Sequence, residues 1–394
     1  MSNFKRLCLL SVAASGVMAA NAAAQGQNYY SRDKYDSVLD RRQPAYDPEP
    51  IRLGAFLVNS QASASLNYID NVRATNTNKE SDTIARLGVE IYARTNWNVH
   101  EVGIDLSADR NEYMESGDES SNDLRARLRG RLDVSRDVSI GGAVFAEDRV
   151  ESRTDLTSSV GLDRPIEFTR VGASIDANYQ SDRFRWTNFA EVSEEDYEDG
   201  RQTGSGILID QDYRDNSVTL VRSRLSYAVS PNLAVYTQGT MADRSYDQPQ
   251  ILGGGVRSRD STGYTLAAGV DFELNSLVRG DIAVGYLNED KDDDFFEDVD
   301  GLSLDGRLQW FPSRLTTVGF NAGRRVVDIG VIDSPSALQT NFGARVDHEL
   351  RRNIILSAAA NVSSYDYQEI DRSDDVNDLT LTAAYKLNKR VHVE

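Results

Sequence analysis

From about residue 61 onward, apolar and polar side chains alternate in runs of roughly ten residues. Leu124, Ala126, Leu128, Gly130, Leu132 and Val134 share one parity, with Arg125, Arg127, Arg129, Arg131 and Asp133 on the other. Tyr264, Leu266, Ala268, Val270, Phe272 and Leu274 alternate with Thr265, Ala267, Gly269, Asp271 and Glu273. Leu302, Leu304, Gly306, Leu308 and Trp310 oppose Ser303, Asp305, Arg307 and Gln309. A period of two sends successive side chains to opposite faces of an extended chain, so each run predicts a strand with one apolar and one polar face. Leu225–Met241 shows how the runs join. Two alternating stretches flank Pro231-Asn232, which reads as a hairpin turn.

Short breaks recur at Asn96-Trp97-Asn98, Ser135-Arg136-Asp137, Ser181-Asp182, Pro231-Asn232, Asn275-Ser276, Pro312-Ser313, Arg351-Arg352-Asn353 and Asn388-Lys389-Arg390. Successive breaks are 37–50 residues apart. Between them lie longer polar stretches, at about 71–82, 112–121, 149–165, 194–212, 243–260, 288–300, 328–336 and 366–378. Each period therefore reads as strand, tight turn, strand, long loop. About sixteen strands result, with tight turns at one end and long loops at the other. That asymmetry predicts an all-β, antiparallel up-and-down transmembrane barrel, with short periplasmic turns and long external loops. After the last turn only Val391 to Glu394 remain, the start of a further strand. Even strand counts then suggest a parent barrel of about eighteen, whose closing strands this chain would lack. A soluble repeat such as a propeller is the alternative, but four arginines on one strand fit its buried blades poorly.

The N-terminus sets the compartment. Lys5 and Arg6 precede a mostly apolar run, Leu7 to Ala20, and Ala22-Ala23-Ala24 offers a cleavage site before Gln25. This reads as a signal peptide over 1–24, too short for a comfortable membrane span. The sole cysteine, Cys8, lies inside it, so the mature chain holds no disulfide, thiolate site or Cys nucleophile. Residues 25–50 are polar, Tyr- and Asp-rich and broken by proline. They read as an extended periplasmic segment, with a plug or constriction as the alternative. Residues 51–394 form the barrel. Losing Lys5 and Arg6 takes the formal charge from −19 to −21, which argues against nucleic acid as a partner.

Aromatic positions agree with a membrane span. Trp97, Trp186 and Trp310 all fall near tight turns, with Tyr227, Phe184, Phe311, Tyr179 and Tyr385 close by. Tyr68, Tyr113, Tyr197, Tyr213, Tyr246, Tyr286, Tyr365 and Tyr367 lie in or beside the long loops. Two bands at the two strand ends are what interfacial girdles require.

Candidate chemistry concentrates on the polar face. Arg125, Arg127, Arg129 and Arg131 point to one side of a strand, about 6–7 Å apart in succession. On the lipid side each would cost about 2–4 kcal/mol near the midplane, so they are expected to line a lumen. Arg222, Arg224, Arg170, Arg307, Arg325 and Arg345 join them, as do Glu101, Asp105, Asp176, Asp271, Asp281, Asp305 and Asp347. Such a lumen guides anionic or polyhydroxylated solutes, or else the charges pair across strands and simply fill the wall. His100, His348 and His392 each sit beside a different turn, with no spacing for a metal site or a triad. Gly253-Gly254-Gly255 has no following helix and is a loop tip rather than a phosphate cradle. The acidic stretch Glu289–Asp300 lacks calcium-loop spacing and reads as solvated, with divalent bridging to lipopolysaccharide as the alternative. Glu194–Asp199 reads the same way. No catalytic residue, cofactor or metal site is expected.

Gly54-Ala55-Phe56, then Leu66-Asn67-Tyr68-Ile69-Asp70-Asn71-Val72, then Ser81-Asp82-Thr83 resemble the start of the β-barrel porin type 2 family. The likeness extends over about 51–394. It implies an outer-membrane protein of a Gram-negative bacterium, with a role in exopolysaccharide or capsule export and no catalytic residues. The expectation is thus a passive channel for polysaccharide or for anionic and polar solutes. Its partners would be outer-membrane lipid, lipopolysaccharide and periplasmic export components. A non-conducting structural or adhesion barrel is the alternative, and a hydrolase is weaker still, since the histidines sit at the end away from the long loops. The solute and the oligomeric state have no signature in the sequence.

Overall fold

The computed structural model describes residues 5–7 and 36–394, apart from 76, 156–157, 159–160, 276 and 332–333. Apart from Lys5–Leu7, the segment read as a signal peptide lies outside the described residues.

Sixteen long strands follow one another in the chain. The first eight are β1 (Phe56–Ile69), β2 (Asp82–Thr95), β3 (Glu101–Tyr113), β4 (Ser121–Asp133), β5 (Val138–Val150), β6 (Glu167–Ser181), β7 (Phe184–Tyr197) and β8 (Asn216–Ser230). The rest are β9 (Leu233–Tyr246), β10 (Ser261–Leu274), β11 (Val278–Lys291), β12 (Val299–Ser313), β13 (Thr316–Val331), β14 (Ser334–Arg351), β15 (Ile354–Tyr367) and β16 (Ser373–Lys386). Each pairs antiparallel with the next in one continuous up-and-down sheet. A continuous sheet removes the propeller alternative, whose blades are separate sheets.

Turn chemistry explains why the chain reverses where it does. Asp182 and Asn275 hold positive φ, at 34° and 51°, in tight turns; short Asx side chains tolerate that conformation because they hydrogen-bond locally. Pro312 has no amide proton to give the ladder, and the β12–β13 register slips between Trp310 and Ser313. The turn therefore falls at Arg314-Leu315, just beyond the expected Pro312-Ser313.

Two expectations need correcting. The strands run 13–18 residues, not about ten, because the ladder continues past the apolar band into stretches whose polarity resembles a loop. Glu194–Tyr197 accordingly belongs to β7, and Glu289–Lys291 to β11. The stretch 328–336 is not a long loop either: only 332–333 separate β13 from β14. The ladder bonds backbone groups whatever the side chain, so polar residues extend a strand where their side chains find partners, as Lys291 does with Glu289.

The two faces differ as the alternation requires. Leu124, Leu128 and Leu132 on β4 are each about half exposed, with Leu266, Leu381 and Phe342 on the same outer surface. The opposite face is concave, because its side chains meet across strands that are not neighbours. Tyr236 on β9 reaches Asp281 on β11, and Tyr246 on β9 reaches Asp328 on β13. Trp186, Trp310 and Tyr227 lie on the outer face near tight turns, and Trp97 lies within one, all substantially exposed. Trp186 Nε1 donates to Ser223 Oγ at 2.9 Å. Phe184 packs on Tyr227 with ring centroids 5.0 Å apart.

The other aromatic band is not uniform. Tyr68 and Tyr286 are exposed, but Tyr246 and Tyr367 are buried. Tyr197 shares the inner parity of β7 with Glu191 and Glu195, the partners of Arg170. An odd or even position decides which way a strand tyrosine points, and nearness to a loop does not.

Among the described residues no backbone pairing joins β1 to β16. Ile51–Leu53 pairs with Phe56–Val58, and His392–Val393 with Tyr385 and Lys386. Lys5–Leu7 lies parallel to Asp375–Asn377. Residues 36–50 run along the short-turn end as a strap. Val38 N–H donates to Thr317 Oγ1 at 3.0 Å, and Arg41 Nη1 meets Glu349 Oε2 at 2.7 Å. Lys386 Nζ lies 3.5 Å from Asp47 Oδ1, and Lys389 pairs with Glu49. The strap thus links β13 and β14 to the end of β16 and then enters β1.

Candidate functional site: the charged inner face

The register of β3, β4 and β5 builds the arginine ladder. Glu101 lies opposite Arg131, Gly103 opposite Arg129, Asp105 opposite Arg127 and Ser107 opposite Arg125. On the other side, Arg125 faces Glu147, Arg127 faces Phe145 and Arg129 faces Ala143. Facing residues do not necessarily pair. Arg129 Nη1 reaches diagonally to Asp105 Oδ2 at 3.8 Å, and Arg131 Nε turns to Asp133 Oδ1 at 3.1 Å. Among the described residues Glu101 forms no ion pair. Arg125 and Arg127 have no carboxylate within ion-pair distance among the described residues; Arg127 instead lies 5.7 Å from the centre of the Phe145 ring. Arg170 approaches the same ring at 5.0 Å while pairing with Glu191 at 2.9 Å and Glu195 at 3.4 Å.

Inward-facing glycines let these long side chains lie flat. A Cβ on Gly103 would come within 2.4 Å of Arg129 Nε, and one on Gly172 within 2.4 Å of Phe145 Cζ. Each notch lets a neighbouring side chain lie against the wall.

A second group lies on β8 to β12. Arg224 pairs with Asp281, whose other oxygen accepts the Tyr236 hydroxyl at 2.6 Å. Arg222, Arg307 and Asp305 share this face without forming ion pairs among the described residues. The sequence-derived candidates therefore fall on one concave surface, yet they do not form one cluster. The pairs Arg129–Asp105 and Arg224–Asp281 are neutralised, while Arg125, Arg127, Arg222 and Arg307 are not.

The long-loop end holds ion pairs that alternation cannot reveal. Arg214 and Glu151, 4% and 3% exposed, join the loop before β8 to the end of β5, with Arg214 Nη1 3.2 Å from Glu151 Oε2. The Arg214 guanidinium stacks 4.0 Å from the Tyr197 ring. Arg153 meets the buried Glu119 at 2.8 Å. Arg259, 2% exposed on its side chain, bonds Asp328 Oδ1 at 3.1 Å, and Arg244 reaches the other oxygen at 3.2 Å. The available signal was a pair of arginines in each otherwise acidic or polar loop: Arg153 and Arg164, Arg201 and Arg214, Arg257 and Arg259. The acidic stretch 289–300 is tied down too: Asp293 accepts the amides of Phe295 and Ser258, and Asp298 accepts that of Lys291.

The histidines stay apart. His100 Nδ1 accepts the Asp133 amide, His348 meets Thr316, and His392 meets the Tyr46 carbonyl. Among the described residues, one carboxylate group, Asp199, Asp210 and Asp212, comes close enough to share a cation. It is acidic loop surface whose oxygens already accept local hydrogen bonds, from the amides of Gln211 and Asp212 and from Gln248.

Solved structures with a similar course include the copper transporter OprC, at 13% identity and TM-score 0.46, over 86% of this chain and 74% of that one. The ferric citrate transporter FecA follows at 9% identity and TM-score 0.48, over 86% and 57%. The siderophore receptor PiuA from Acinetobacter baumannii stands at 10% identity and TM-score 0.47, over 84% and 66%. This chain thus spans a little over half of FecA. No curated protein sequence matches it. Residues 43–394 match the family described as "Putative beta-barrel porin 2", and the chain belongs to that family.

Proposed function

We propose that the protein is an outer-membrane channel whose bore passes polar solutes and favours anions. Membership of a β-barrel porin family supports the outer membrane of a Gram-negative bacterium as its location. The observation that carries the selectivity is the pair Arg125 and Arg127, on adjacent inward rungs of β4 with no carboxylate partner among the described residues. Unpaired guanidinium groups on a wetted wall attract anions without trapping them, which is what conduction requires. An anionic polysaccharide leaving the cell is one such solute. The family resemblance favours it, and components of a periplasmic export apparatus would then dock at the short-turn end. Outer-membrane lipid and lipopolysaccharide would contact the outer face, where Trp186, Trp310 and Tyr227 stand at headgroup depth.

The test is planar-bilayer recording of the folded full chain. Stepwise currents are expected, with a reversal potential that marks anion preference. In R125Q/R127Q the anion-to-cation permeability ratio should fall at least about two-fold. Unchanged reversal potentials would leave the ladder a structural role only. A second reading, a non-conducting structural barrel, draws on the buried ion pairs that tie the outer loops together. Silence from demonstrably folded protein would favour it.

A further inference from the structure

The strap does more than follow the rim. Between residues 36–46 and the turns at Arg314-Leu315 and Arg352-Asn353 it leaves a cavity of about 620 Å³, within the usual range for small-molecule sites. Three arginines in its lining, Arg42, Arg314 and Arg352, have no carboxylate partner among the described residues. Arg41 is already taken by Glu349 and by the Arg314 carbonyl. Asp36 is the other acid in the lining, so four arginines face two carboxylates and the cavity keeps a net positive charge.

A separate observation comes from Gln43. It is 8% exposed, and both its side-chain oxygen and nitrogen are buried with no hydrogen-bond partner. Its backbone is fully used: the carbonyl accepts the amides of Tyr46 and Asp47, and the N–H donates to the Asp47 carboxylate. That tight turn fixes the side chain in place. A buried amide with neither donor nor acceptor satisfied is costly unless something binds it. Tyr46 adds an aromatic surface to the same lining.

We propose that this cavity is a binding subsite for a small polyhydroxylated organic anion of the sugar-acid class. The carboxylate would meet the guanidinium groups of Arg42, Arg314 and Arg352, which suit planar anions. Hydroxyls would satisfy both ends of the Gln43 amide, and the carbon face of the ring would lie near Tyr46. The subsite rests on reading the barrel as a channel for anionic solutes and places a loading station at its periplasmic mouth, since Thr317 and Glu349, which hold the strap, are inner-face residues of β13 and β14.

The probe is D-glucuronate, titrated calorimetrically into the folded full chain in detergent, with D-glucose and acetate as controls for charge and for hydroxyls. Glucuronate should bind at least about ten-fold more tightly than either control. R42Q/R352Q should lose about ten-fold or more of that affinity. Both residues are exposed, so folding is not at stake, and R125Q/R127Q should leave the affinity unchanged. Q43L should weaken glucuronate more than acetate. The subsite is overturned if folded wild type ignores glucuronate, if R42Q/R352Q binds it equally, or if glucose competes equally. Binding that survives in a protein that carries no current would sink the channel reading alone. Conduction without binding would sink the subsite alone.

Discussion

Arg214, in the loop before β8, is almost wholly buried and locked to Glu151, while Arg127, on the concave face of β4, has no carboxylate within ion-pair distance among the described residues. The side chains are chemically identical, so their surroundings must differ. Taking a guanidinium out of water costs several kcal/mol and is tolerated only beside an opposite charge with its hydrogen bonds in place. Glu151, Gln211 and the Tyr197 ring meet that condition for Arg214. Nothing meets it for Arg127 except an aromatic face at 5.7 Å. An unpaired arginine persists where water remains, so the comparison marks the loop cluster as dry and the β4 wall as wet.

The largest effect should come from breaking the dry side. Glu151→Ala strands Arg214 without its partner, a loss of about 3–5 kcal/mol. The loop over 198–215 should then open to thermolysin, which is checked by mapping the cut sites. Replacing both residues, E151M/R214M, should restore most of the resistance, because the buried charge is gone. If Glu151→Ala resists digestion as well as the parent, the pair is not holding the loop.

The wet side should behave in the opposite way. R125Q/R127Q removes two charges yet should shift thermal stability by less than about 1 kcal/mol, while moving the reversal potential as described above. A melting loss comparable to that of Glu151→Ala would mean that these arginines hold the wall together, and the contrast would collapse.

The sequence made the wet side legible and hid the dry one. A ladder such as Arg125 to Arg131 announces its face because period two is local and lipid forbids the alternative. The strand series, the tight turns and the parity of Asp105, Arg224 and Arg307 followed from the same rule. Partner choice did not, because it depends on rotamers: Arg131 stands opposite Glu101 but turns to Asp133. Phe145 was detectable in principle, as an aromatic on the polar parity of β5. The Glu151–Arg214 and Arg259–Asp328 pairs join residues 63 and 69 positions apart, with at least one member of each in irregular chain, where no period operates. The contacts of the strap were hidden for the same reason, and strand ends were misplaced because side-chain polarity does not report whether the backbone ladder continues.

A subtler change tests how the wall stays open. In Gly103→Ala the new methyl would overlap Arg129, whose flexible end can swing away. Arg129 should leave Asp105 and project into the bore as a further unpaired cation. Single-channel conductance should fall modestly while anion preference rises, with little change in melting. Gly172→Ala is the harsher control: its methyl would also meet the Val192 carbonyl oxygen at 2.7 Å, so about 1–3 kcal/mol of stability should go with it. Equal conductance in Gly103→Ala and the parent would show that Arg129 does not move inward.

The smallest effect lies at the opposite extreme from Arg214, on a charge that is ordered yet open to water. Asp293 accepts the Phe295 amide at 3.0 Å, the Ser258 amide at 3.3 Å and Arg257 Nη1 at 3.3 Å. These contacts, the Phe295 bond foremost, hold its carboxyl below the usual aspartate range. A depressed folded value means that the loop gains from the ionised form at neutral pH, and that this gain begins to erode as pH falls below the ordinary value near about 4. The gain disappears only when pH drops through the lower folded value. Hydrogen exchange at the Ser258 and Phe295 amides, corrected for intrinsic rates, should therefore stay protected down to about pH 4 and weaken below it. In Asp293→Asn that acid step should vanish. An acid step as large in Asp293→Asn as in the parent would show that these bonds form too rarely to bias the proton. The loop would then be held by the stacking of Arg257 on Phe295 at 4.4 Å, which does not titrate in that range.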